Sequence, residues 1–66
     1  MYLFEIYQDH KLEYRWRFKA PNGAIIAVSS EGYTTKQNCQ YSIHLVKTYS
    51  PQATVYDLTL AQSVYR

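Results

Sequence analysis

A chain of 66 residues has room for one small domain, and with 47% hydrophobic, 17% aromatic and 18% charged residues it is too apolar to stay disordered. A large enzyme with a second core or a closing lid is excluded. The net charge of +2 permits an acidic partner without demanding one.

A domain of this size buries only about 60% of the surface its unfolded chain exposes, so it needs a further source of stability. A single cysteine, Cys39, cannot bridge within the chain. With two histidines, His10 and His44, it gives none of the paired spacings of a structural zinc site. Association of two copies remains, and a homodimer is expected on energetic grounds. The start MYLFEIYQ lacks the basic and long apolar regions of a signal peptide. The longest aliphatic stretch, Ala24 to Val28, falls far short of the ~20 residues of a membrane helix. A soluble, cytoplasmic protein without membrane contact is expected.

Residues 2 to 8 alternate, with Tyr2, Phe4 and Ile6 on one face and Leu3, Glu5 and Tyr7 on the other, which predicts a strand. Residues 13 to 19 alternate more cleanly, Tyr14, Trp16 and Phe18 against Arg15, Arg17 and Lys19. Parity requires the aromatics of both strands to share a face. Pairing Ile6 with Tyr14 and Phe4 with Trp16 leaves Asp9, His10 and Lys11 as a three-residue loop and sets Glu5 opposite Arg15. That loop lacks glycine, so either Asp9 or His10 takes a positive φ or the loop is longer. Pro21-Asn22-Gly23 signals a second hairpin, and a third strand is predicted from Ala24 to about Ser30. Ile25 to Val28 are all apolar, so the inward face of that strand stays open, as does a bulge introduced by Pro21.

Glu31-Gly32-Tyr33 breaks the strand, and Thr34 with Gln37 reads as a capping box for a helix from about Thr35 to Tyr49. Cys39, Ile43, Val46 and Tyr49 form its apolar stripe, and Pro51 ends it. Alternation returns over residues 53 to 60, with Tyr56, Leu58 and Leu60 on one side, predicting a fourth strand. Residues 61 to 66 have no pattern and either extend the strand or fray. The whole, residues 1 to 66, reads as one α+β domain of order β-β-β-α-β, an antiparallel sheet with one helix packed on it.

No catalytic constellation is visible. Ser42 and His44 lie about 200° apart on a helix, and Cys39 and His44 about 140°, so neither pair forms a nucleophile and base. Cys39 on the apolar stripe reads as a buried inert thiol. Glu31 and Asp57 lack a recognisable second acid, and no phosphate-binding glycine loop occurs, so neither metal, cofactor nor enzymatic activity is expected. Arg15, Arg17 and Lys19 are the most suggestive binding feature, since single-stranded nucleic-acid readers join cations and aromatics on strands. Here, however, the aromatics alternate to the opposite face, and a solvated basic face over an aromatic core is the preferred reading.

The pieces Tyr14-Arg15-Trp16-Arg17, Asn22-Gly23, Ile26-Ala27 and Ser30-Glu31-Gly32-Tyr33, in order and at these spacings, resemble the YegP-like family, small bacterial and archaeal domains of unknown function. The resemblance runs from about Phe4 to Leu58 and departs at Tyr41-Ser42-Ile43, where the family often has Asn-Gly-Ile. It implies a β(3)-α-β unit that occurs as a tandem pair or as a single copy that dimerises by exchanging its C-terminal strand, here residues 53 to 60. It implies no activity. In physical terms Asn22 and Gly23 are expected to supply the positive φ angles of a turn, Gly32 to permit the break before the helix, and Trp16 to form the aromatic centre of the core, with Tyr33 closing the structural motif. Arg15, Arg17 and Glu31 are expected to form a cross-strand charge ladder, or with Lys19 a polar binding site. The functional expectation is a homodimeric, non-enzymatic interaction or structural module with an unidentified protein partner. The alternative is weak nucleic-acid binding through Arg15, Arg17 and Lys19.

Overall fold

The computed structural model describes residues 1–60 and 62–65. Its elements are β1 (Leu3–Gln8), β2 (Tyr14–Lys19), β3 (Ile25–Val28), α1 (Lys36–Tyr49), a 3-10 turn (Ser50–Gln52), β4 (Val55–Asp57) and β5 (Gln62–Tyr65). The first three strands form an antiparallel sheet in chain order, and β4 pairs with β5 in a separate ribbon. The expected α+β class, with three antiparallel strands and one helix, is therefore what forms.

The hairpin of β1 and β2 keeps the expected faces but slips by two residues: Ile6 lies opposite Trp16, Phe4 opposite Phe18 and Glu5 opposite Arg17. A two-residue shift preserves parity, so the aromatics still share one side. The connection lengthens to five residues, held by Asp9. Its Oδ1 accepts from the backbone N–H of Lys11 at 2.9 Å and of Glu13 at 3.0 Å, while its carbonyl accepts from Leu12 N–H at 2.9 Å. Leu12, rather than Asp9 or His10, takes the left-handed conformation, with φ 63°.

In the second hairpin Ala20 C=O accepts from Gly23 N–H at 2.9 Å, which places Pro21 at the first central turn position, where its fixed φ fits. Within this turn Gly23 alone has a positive φ, 89°. Asn22, expected to share that role, instead accepts from Ala24 N–H through its side chain at 3.0 Å. A register shift follows between Phe18 and Lys19, and β3 spans four residues rather than seven. Phe18 pairs with Ala27, which puts Ala27 on the aromatic side, yet all four residues of β3 are exposed, so neither face of this strand is covered. Ile25, Ile26 and Val28 are each more than half exposed.

Helix α1 crosses the aromatic side of the sheet over β2. Its N-cap is Thr35, one residue after the expected Thr34, with Thr35 Oγ1 accepting from Asn38 N–H at 3.1 Å. Cys39 is fully buried and Ile43 half-buried, but Tyr49 is 61% exposed, so the apolar stripe leaves the sheet at its C-terminal end. The fourth strand is shorter than expected because Asp57 Oδ1 accepts from Thr59 N–H at 2.9 Å and turns the chain there. Leu58 and Leu60 consequently sit outside any strand, and a strand forms at Gln62–Tyr65 where no pattern was evident. Ala61 and Arg66, the limits of the tail expected to extend or fray, lie outside the described residues. Among the described residues no helix is long and apolar enough to cross a membrane.

Candidate functional site

The outer face of the sheet carries the cations singled out in the sequence, and each is met by a carboxylate. Arg17 Nε lies 2.7 Å from Glu5 Oε1, and Lys19 Nζ reaches Glu5 Oε2 at 3.5 Å. Arg15 Nε lies 2.7 Å from Asp9 Oδ2, so the expected Glu5–Arg15 pair is replaced by two others as the register slips. The Arg17 guanidinium also stands 4.9 Å over the Tyr7 ring, which places one aromatic on the cationic face. Arg15 donates to Asp9, and this bond, with the Glu13 and Lys11 amides, brings the Asp9 carboxyl down to about 2. Arg17 likewise lowers Glu5, and Asp9 raises Arg15. Glu31 takes part in none of these ion pairs. Its contribution is its carbonyl, which accepts from Ser29 Oγ at 3.1 Å.

The recurring residues around β2 form a backbone clasp. Trp16 N–H donates to Ser29 Oγ at 3.2 Å, and Ser29 N–H returns a bond to Trp16 C=O at 2.9 Å. Four residues on, Tyr33 exchanges both backbone bonds with Tyr14, at 2.7 and 2.8 Å. The chain after β3 therefore returns alongside β2, with Ser30, Glu31 and Gly32 looping out between the two contacts. A Cβ on Gly32 would strike the Glu13 side chain, whose own Cβ stands 2.9 Å from that point. Gly32 is thus favoured by close approach rather than by its backbone, since its φ is not positive and the break before the helix makes no use of glycine's conformational freedom.

On the inner face Trp16 is 7% exposed, with Phe4 edge-on at 5.2 Å between ring centroids. Phe4 also packs against Phe18 at 4.7 Å, and Tyr2 stacks on Phe18 at 5.9 Å. The indole N–H of Trp16 donates to Ser42 Oγ at 2.9 Å, and Ser42 donates in turn to Cys39 C=O at 2.7 Å. Ser42 therefore points at the sheet, and the position where the resemblance implied glycine carries the polar joint between β2 and α1. Nothing in spacing alone marked this pair; the one available signal was a hydroxyl at the margin of the apolar stripe. Beside the joint, Phe4, Phe18 and Ala27 face Val46, Lys47 and Ser50 across an open apolar groove of about 320 Å³. Burial pushes the Cys39 thiol up, away from the thiolate a nucleophile needs. Among the described residues no three His, Cys, Asp or Glu side chains gather as they would around a metal ion.

Residues 9–57, which hold the clasp, the joint and most of the charge ladder, match the domain described as "Domain of unknown function (DUF1508)". The chain belongs to this family. The YegP-like resemblance drawn from β2 and the clasp is thereby shown, and relatives occur in bacteria and archaea. A UPF0339 protein of Neisseria meningitidis serogroup B is 62% identical over 45 residues, covering 68% of this chain and 79% of its own. A protein from Haloferax volcanii, solved in solution by NMR, superposes with a TM-score of 0.80 at 41% identity, over 85% of this chain and 93% of its own. A UPF0339 protein of Stutzerimonas stutzeri, 43% identical over 54 residues, is matched over 82% of this chain but only 48% of its own length. Members of the DUF1508 family thus include chains about twice as long as the matched unit.

Proposed function

We propose that the chain acts as a homodimeric, non-enzymatic interaction or structural module, in which residues 53 to 60 of each copy cross into the sheet of the other. The observation that carries this reading is unburied surface. The chain exposes 5389 Å², whereas a compact protein of 7.8 kDa exposes about 4,400 Å². The excess of roughly 1,000 Å² is more than the ~800 Å² each partner contributes to a standard interface. Tyr56, Leu58 and Leu60 are 55, 80 and 58% exposed, and the ribbon of β4 and β5 does not join the three-stranded sheet. An apolar segment standing off from an apolar groove is what strand exchange between two copies accounts for. The double-length Stutzerimonas relative supports the same reading, since it has room for two such units in one chain.

Light scattering after gel filtration, across a hundredfold dilution, tests the proposal. The expected mass is twice 7.8 kDa throughout, and a monomer of that mass overturns the reading. A chain truncated before Ala53 is expected to lose cooperative melting, and a truncated chain that melts cooperatively overturns the exchange. Phosphate binding by Arg15, Arg17 and Lys19 is the second reading, favoured by Tyr7 under Arg17 and opposed by the carboxylates that already meet each cation. It requires binding of single-stranded nucleic acid that weakens steeply with added salt.

A further inference from the structure

Helix α1 carries two apolar stripes where one would cover the sheet. Cys39 and Ile43 face β2, but Tyr41, Leu45 and Tyr49 recur at intervals of four along a second line, and all three are exposed, at 61, 37 and 61%. At 100° per residue Leu45 lies about 120° round the helix from Cys39, on the flank of α1 rather than beneath it. The helix has no acidic residue, and its two lysines, Lys36 and Lys47, lie about 180° and 200° round from Leu45. The second stripe is thus uncharged on a helix that is otherwise only positive.

We infer that this stripe is the seam on which a second copy of α1 packs, antiparallel, across a two-fold axis at Leu45. Symmetry and charge both select a second copy. The stripe is centred on Leu45, so a two-fold there sets Tyr41 of one helix against Tyr49 of the other, about 6 Å on either side of the axis. Two copies of a helix with lysines and no acids repel unless the lysines turn away, and here both lie on the far flank. A foreign acidic partner would instead seek the lysine flank. The seam draws on the same roughly 1,000 Å² by which the chain exceeds a compact one and adds no area to the dimer proposed above. The inference rests on the dimer proposed above and assigns a contact that strand exchange alone leaves unspecified.

The test uses the full chain with single cysteines introduced beside the buried Cys39, oxidised glutathione as oxidant, and the unsubstituted chain as the control for Cys39. Leu45→Cys is expected to give a disulfide-linked dimer, His44→Cys to give none, and Tyr41→Cys to link with Tyr49→Cys only when the two preparations are mixed. Leu45→Arg is expected to raise the dimer dissociation constant at least about tenfold. Equal linking at positions 44 and 45 means random collision and overturns the seam. A dimer by light scattering that fails to link at 45 and tolerates Leu45→Arg also overturns it, while leaving strand exchange standing. A monomer by light scattering overturns both.

Discussion

Gly32 shows how a single residue is constrained by what approaches it. Because a side chain there would meet Glu13, Gly32→Ala is expected to cost about 1–3 kcal/mol, read as a lower melting temperature. Replacing Glu13 by glycine as well removes the obstacle and should restore part of the loss. Asp9 gives a second prediction at this scale. Its carboxyl is held at about 2 in the fold against an ordinary value of 3.8. The unfolded chain therefore binds the proton first as pH falls. The stability that Asp9 contributes is present in full above about pH 4 and is lost as pH drops toward 2. Melting temperature followed across that window should fall, and Asp9→Asn should flatten the fall in part, since Glu5 and Asp57 are lowered too.

At the scale of elements, the joint between β2 and α1 is the contact most open to test. Ser42→Ala leaves the buried indole N–H of Trp16 without its acceptor, an expected loss of about 1–3 kcal/mol, with a shift in the emission of the chain's one tryptophan. The elements themselves were largely legible in the sequence. Alternation assigned Phe4, Ile6, Trp16 and Phe18 to one face and Arg15, Arg17 and Lys19 to the other, and the structure keeps both sets. Register was not legible, because a slip of two leaves alternation unchanged. What selects the observed pairing is the Asp9 side chain, whose bonds to Lys11 and Glu13 N–H make a five-residue connection stable without glycine. The same physics displaced the end of the fourth strand, where Asp57 bonds its own chain two residues on. Short polar side chains that satisfy nearby amides compete with strand pairing, and hydrophobic periodicity is blind to them. The charge ladder was foreseen as a type of contact, but its partners moved with the register, and Glu31 stands outside it.

For the whole molecule the governing fact is a shortage of cover. Among described residues only Trp16 and Cys39 are buried apolar side chains, while Ile25, Ile26, Val28, Tyr41, Leu58 and Leu60 stand more than half exposed. With a radius of gyration of 14.1 Å against about 11 Å for a compact chain of this length, the chain is elongated for its size. The expected dimeric mass and the expected failure of the chain truncated before Ala53 both follow from that shortage. The DUF1508 family, with single-length and double-length members, is consistent with a unit that is completed by a second one.

The chain-order sheet has a consequence in time. β1, β2 and β3 are joined by two hairpins whose partners are close in sequence, and the clasp of Tyr33 on Tyr14 adds a third short closure. Loops of this length close fast, so the meander should assemble within milliseconds of dilution from denaturant, at a rate independent of protein concentration. In the proposed dimer the meeting of two chains is bimolecular and comes after. Refolding followed by tryptophan emission should therefore resolve into an early phase indifferent to concentration and a late phase that doubles in rate when the protein is doubled. A single phase at every concentration would mean that each chain finishes folding alone.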